Sequence, residues 1–165
     1  GWYIQPDCNM PSGESFVRQI LLGREYFRKK FGKRPSTAIN FDPFGHSRGL
    51  VQIMAKSGYD SYIFCRPSNT NCPLPAELFE WEGFDGSRIT GLRAWGHYSS
   101  ARGKADEKIT ACIEKSGISG TGLLLWGIGN HGGGPSREDL SKIDRLVKAT
   151  PDVKIIHSTD RKSVV

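Results

Sequence analysis

The stretch from Thr37 to Cys65 constrains the fold more than any other part of the chain. Thr37-Ala38-Ile39-Asn40-Phe41 is a short run of β-prone residues. Gly49 to Ser57 places Leu50, Ile53 and Met54 at helical spacing and is closed by Gly58. Tyr62-Ile63-Phe64-Cys65 is a second β-prone run. Strand, helix and strand in such quick succession imply a parallel βαβ unit. Before it, Ser12 is the predicted N-cap of a helix from Glu14 to Phe31, with Gly32 as its stop and Pro35 beyond. After it, Leu78–Trp81 and Arg88–Leu92 flank an Asp85-Gly86 turn and predict a hairpin. Further elements expected are a helix over Asp106–Lys115, a central parallel strand at Leu123–Trp126, a helix capped by Ser136 and a last strand at Val153–His157. Asp139, three residues after Ser136, makes a near capping box.

Strands that alternate with helices define the α/β class. No linker or composition shift divides the sequence, so residues 1–165 are expected to form a single domain. Chemistry in such folds collects at the C-terminal ends of strands. Three polar positions fall there: the loop Asp42 to Ser47, Arg66, and the loop Asn130 to Pro135.

The 37% hydrophobic and 24% charged content is that of a globular chain. Its 20 glycines follow no fixed period, which excludes collagen and solenoids. No run of 18 apolar residues is present to cross a membrane, and the first residues do not form a signal peptide. The lack of an initiator Met points to an excised segment. The net charge of +6 is concentrated in Arg24, Arg28, Lys29, Lys30, Lys33 and Arg34. Tyr26, Phe27 and Phe31 interleave with these residues, so the run reads as the solvated face of an amphipathic helix. No nucleic-acid motif supports the other reading, a nucleic-acid patch, and no membrane partner is expected. The four cysteines form no C-x-x-C. They read as buried thiols in a reducing, cytoplasmic compartment, with a Cys65–Cys72 disulfide as the minor alternative.

Asp42 leads the candidate catalytic residues. A carboxylate pinned by Pro43 at a strand end can be a nucleophile, a general base or a metal ligand, or it can simply open a turn. His46 is either a second ligand or a hydrogen-bonding structural histidine. Arg66, directly after a buried strand, is expected to pair with Asp42 on the neighbouring strand. Gly129 to Gly134 lacks the spacing of a phosphate-binding loop, and His131 within it is a proton donor, a polar contact or a turn cap. Trp2, Trp81, Trp95, Trp126 and Tyr98 offer aromatic faces on which a sugar can stack, with Trp126 the best suited of them to a core.

Phe41-Asp42-Pro43-Phe44-Gly45-His46-Ser47, followed at a matching interval by Cys65-Arg66-Pro67, resembles glycoside hydrolase family 38, the α-mannosidases. Gly1 to Asn9, Pro11 to Gln19 and Gly129 to Pro135 are similar to its bacterial branch. The resemblance covers roughly residues 1–157, and residues 158–165 read as a non-native or truncated tail. It implies an internal segment of a catalytic domain built as a seven-stranded β/α barrel, here incomplete. It also implies zinc-dependent, retaining hydrolysis of α-mannosides or mannose-containing oligosaccharides. Asp42 would be the nucleophile that forms a mannosyl-enzyme and also a zinc ligand. Arg66, Tyr98 and His131 would contact substrate, and His46 would orient a neighbour. The family's H-x-D pair is absent, so the other zinc ligands would belong to the remainder of a full-length enzyme, and the isolated chain is expected to be inactive. Two other readings are a non-catalytic carbohydrate-binding or scaffold domain and, more remotely, a metal-dependent polysaccharide deacetylase.

Overall fold

Ser12 begins the first helix as its position suggests. Its side-chain oxygen accepts a hydrogen bond from the Ser15 amide, and Gly32 ends the helix in the left-handed conformation, its N–H reaching the Arg28 carbonyl. The computed structural model describes residues 2–116, 122–129 and 133–158. They contain helix α1 (Gly13–Phe31), strand β1 (Thr37–Asn40), helix α2 (Gly49–Lys56), strands β2 (Ser61–Phe64), β3 (Leu78–Glu82) and β4 (Arg88–Arg93), and helices α3 (Ala105–Ser116) and α4 (Arg137–Ala149). Two compact units result, residues 1–93 and 94–165.

The first unit is a four-stranded sheet in the order β1-β2-β4-β3. β1 pairs with β2, and β2 with β4, in parallel; β3 pairs with β4 antiparallel through the expected hairpin. The seven-stranded barrel is therefore corrected. The class is α/β, but the sheet is mixed and open, because the Asp85-Gly86 turn folds β3 back along β4 as an edge strand.

One row across this sheet reads Ala38, Tyr62, Gly91, Phe79. Small and large residues alternate along it, and Phe79 lies over Gly91, where an added Cβ would meet the ring at 2.5 Å. This face carries Phe64, Ile89 and Trp81 as well and packs with Phe16 and Ile20 of α1 and Leu50, Val51 and Met54 of α2. Burial of those side chains is what holds α1 and α2 on the sheet. Trp2 belongs to this core rather than to a sugar-binding surface. Its ring contacts Phe16, Tyr59 and Tyr62, and its indole N–H donates to the Ile39 carbonyl at 3.1 Å.

The basic run is absorbed by local contacts. Glu25 pairs with Arg28, Lys29 and Arg34, while Arg24 donates to the Pro35 and Gly58 carbonyls. Tyr26 and Phe31 remain exposed. No disulfide forms between Cys65 and Cys72; all four cysteines are thiols. Among the described residues no helix is long and apolar enough to cross a membrane.

In the second unit, Ala105 and Ile109 of α3 pack against Ile143 of α4, with Ile113, Leu124, Trp126, Leu146 and Ile155 around them. Asp139 joins the two helix starts. It takes the expected capping hydrogen bonds with Ser136, and its Oδ1 also accepts from the Ala105 amide at 3.1 Å. Two expected strands are absent. Leu123–Trp126 forms only an isolated parallel bridge from Leu124 to Trp95: it is half-buried, and among the described residues no second strand lies along its length. Val153–His157 follows a turn without any ladder. Of the expected tail, only Ser158 lies within the described residues.

Gly91→Val is expected to cost about 1–3 kcal/mol of stability by forcing Phe79 off its site. Urea unfolding of Gly91→Val, alone and combined with Phe79→Ala, checks this: the second change recovers part of the loss if the ring is the obstacle.

Candidate functional site

The register of β1 on β2 builds the site. Asn40 is paired with Phe64, and these are the last residues of their strands. Two residues further on each side stand Asp42 and Arg66, on the same face by the twofold strand period. Arg66 Nε lies 2.9 Å from Asp42 Oδ1, with both side chains part-exposed. The pairing expected from the sequence is thus present at the C-terminal edge of the sheet. Asp42 Oδ1 is itself shielded from solvent and accepts no hydrogen bond, since the arginine N–H is not directed at it. The contact is ionic, and it leaves a carboxylate oxygen with unused lone pairs.

The loop after Asp42 wraps this pair. Phe44 is 74% exposed, and the Arg66 guanidinium lies 6.0 Å from its ring centroid. Gly45 has a φ of 150°, and a Cβ there would land on the Asn9 side chain, so glycine is what lets the loop pass. His46 turns back toward β2. Its Nε2 contacts the Arg66 carbonyl at 2.7 Å, and its Nδ1 contacts the Tyr62 hydroxyl at 3.2 Å. The imidazole packs edge-on against Tyr62, Phe64 and Trp81. Burial among these rings lowers its pKa, with the Arg66 carbonyl acting weakly in the other direction.

On the far side of Arg66, the loop that follows β2 is clamped by Arg93, only 3% exposed at the end of β4. Arg93 donates to Glu77 at 2.7 Å, to the Cys72 carbonyl at 2.8 Å and to Asn69 at 2.8 Å. The backbone on both sides of Arg66 is therefore held.

Asp42, His46 and Arg66 come together in the first unit. Tyr98 lies in the second, half-buried, its ring centroid 4.1 Å from that of His97. His131 lies outside the described residues. Tyr62, Phe44, Asn40 and Arg93 are site residues that sequence reasoning passed over. Tyr62 carried a usable signal, since a tyrosine hydroxyl inside an apolar strand must find a partner.

The same geometry offers a metal few donors. The orphaned Asp42 Oδ1 can give one donor, but among the described residues no three His, Cys, Asp or Glu side chains converge. These residues do not fit a self-contained zinc site, which needs four ligands in tetrahedral array.

Residues 1–162 match the glycosyl hydrolases family 38 N-terminal domain. An alpha-mannosidase of Saccharomyces cerevisiae is 35% identical over 149 residues, covering 88% of this chain and 14% of that protein. Alpha-mannosidase 2C1 of Homo sapiens is 36% identical over 149 residues, with the same 88% and 14% coverage. The chain thus spans about a seventh of the length of these relatives. Among solved structures, an alpha-mannosidase from Enterococcus faecalis V583 superposes with a TM-score of 0.75 at 23% identity, covering 99% of this chain and 19% of that one. At that identity the likeness speaks for the fold.

The His46 environment sets a pH dependence. The folded ring resists the proton that the unfolded ring accepts near 6.5. Unfolding therefore takes up a proton as pH falls below that value, so stability is full above about 6.5 and declines toward the lower folded pKa. Urea midpoints between about pH 7.5 and 5 should fall more steeply for the native chain than for His46→Phe. Parallel profiles would contradict the assignment.

Proposed function

Because this chain belongs to glycosyl hydrolases family 38, as part of its N-terminal domain, we propose that it supplies the reacting carboxylate of an α-mannosidase. The observation that carries this reading is the Asp42–Arg66 pair at the C-terminal edge of two parallel strands, with the Asp42 side chain still 39% exposed. A nucleophile needs a fixed position and an accessible lone pair. Arg66 supplies the first by lying 2.9 Å from Oδ1, and the exposed part of the Asp42 side chain, away from the shielded Oδ1, supplies the second.

In this reading, the Asp42 carboxylate attacks the anomeric carbon of an α-mannoside from the face opposite the leaving group. The glycosidic C–O bond breaks as a general acid protonates the departing oxygen. A mannosyl ester forms on Asp42, and water then attacks the same carbon and releases mannose with retained configuration. Phe44, exposed beside the pair, offers a ring for the apolar face of the sugar. His46 holds the backbone from which Arg66 projects. Thiols without disulfides are in keeping with a cytoplasmic setting.

The test is made on the native full-length protein. Asp42→Ala is expected to abolish aglycone release from an aryl α-mannoside, and added azide to restore it with formation of a β-mannosyl azide, because the small anion fills the emptied position. Arg66→Met is expected to lower kcat about tenfold, the lower end for a charged contact because the pair is part-exposed. Turnover by Asp42→Ala without azide would sink the assignment.

A further inference from the structure

We propose that Tyr62 and Cys8 are positioning residues for Arg66, acting through His46 along one directed run of hydrogen bonds. The inference rests on the reading of Asp42 and Arg66 as the reacting end. The direction of the run follows from its termini. The Arg66 carbonyl can only accept, so His46 Nε2 carries a hydrogen and donates at 2.7 Å. Burial keeps the ring neutral, which leaves Nδ1 without a proton and makes it the acceptor for the Tyr62 hydroxyl at 3.2 Å. That uses the one hydrogen of Tyr62. Its oxygen is then free to accept from the Cys8 thiol at 3.7 Å, and burial holds this thiol in its protonated form. The Asn40 amide nitrogen can only donate. It gives one hydrogen to the Pro6 carbonyl at 2.9 Å and one to Cys8 Sγ at 3.2 Å.

Four residues, Cys8 of the first loop, Asn40 of β1, Tyr62 of β2 and His46 of the loop after β1, thus point hydrogens one way, ending on the Arg66 carbonyl oxygen, two bonds from Cα. Asn40 and Tyr62 are 0% exposed and Cys8 3%, so water does not substitute for any of these three. The run crosses a cluster of aromatic rings, where phenylalanine at 62 and an apolar residue at 8 would keep the packing but leave His46 Nδ1 and one Asn40 amide hydrogen without partners. What the polar groups add is direction: they select one tautomer and one orientation for His46, and through it one place for the Arg66 backbone.

The experiment pairs kinetics with nitrogen NMR on the native full-length protein. Tyr62→Phe keeps the ring and is expected to lower kcat roughly fivefold, the effect of one ordinary hydrogen bond, with KM unchanged. The His46 Nδ1 resonance should move at the same time. Cys8→Ser, which keeps a donor and an acceptor, should stay within about twofold of the native kcat, while Cys8→Ala falls below it. His46→Gln, with an amide N–H to offer the carbonyl, should outperform His46→Phe, which keeps only the packing. A native kcat in Tyr62→Phe, a His46 ring protonated at Nδ1, or His46→Phe matching His46→Gln would each overturn the proposal. If Asp42→Ala remained active, the functional reading would fail separately. The Arg66 Nε resonance would then replace kcat as the readout, and an unchanged signal in Tyr62→Phe would overturn the positioning role.

Discussion

The parallel pairing of β1 with β2, in the register that sets Asn40 opposite Phe64, is the constraint on which the site depends. A strand period of two carries the same face onward to Asp42 and Arg66, and a parallel pair ends both strands at one edge. A slip of one residue would send Arg66 to the opposite face and leave Asp42 beside Cys65 or Pro67. The register is fixed by burial. Ala38 and Tyr62 are fully buried in one row, and α1 and α2 cover the face they share. The core under the helices and the ion pair at the edge are two consequences of one alignment.

Much of this was legible in the sequence. Thr37–Phe41, Gly49–Ser57 and Tyr62–Cys65 have the short β-branched or apolar runs and the terminal glycine that define a βαβ unit, and the pairing of Arg66 with Asp42 follows from their places after the two strands. Ser12, Gly32, Asp85-Gly86 and Ser136 mark their caps and turn because each depends on local backbone chemistry alone. The errors came where a partner outside the segment decides the outcome. Leu123–Trp126 is apolar enough for a central strand, yet it pairs at a single bridge. The direction of β3, set by a turn, makes the sheet mixed and open, which a simple alternation of strands and helices does not reveal. Tyr62 and Cys8 read as core residues, and they are; that their polar atoms meet each other and Asn40 is a matter of three-dimensional register that no local pattern encodes.

The hydrogen-bonded run beneath the ion pair has an energetic consequence. Neutral hydrogen bonds in a core return about 1 kcal/mol each at best, while a broken one costs more than it returned. A site held in this way is insensitive to solvent and salt but sensitive to single atoms. The Asp42–Arg66 pair has the opposite character: it is part-exposed and weakly stabilising. Rigid neutral contacts below and a loosely engaged charge above are what a reacting carboxylate requires, because the group must stay in place while its lone pair remains available.

Covalent capture tests the central claim most directly. A fluorinated mannosyl donor with a good leaving group slows breakdown of a mannosyl ester, so the native protein should accumulate it and peptide mass spectrometry should find the added sugar on Asp42. A label on any other carboxylate, or steady turnover with no label at all, would contradict the account.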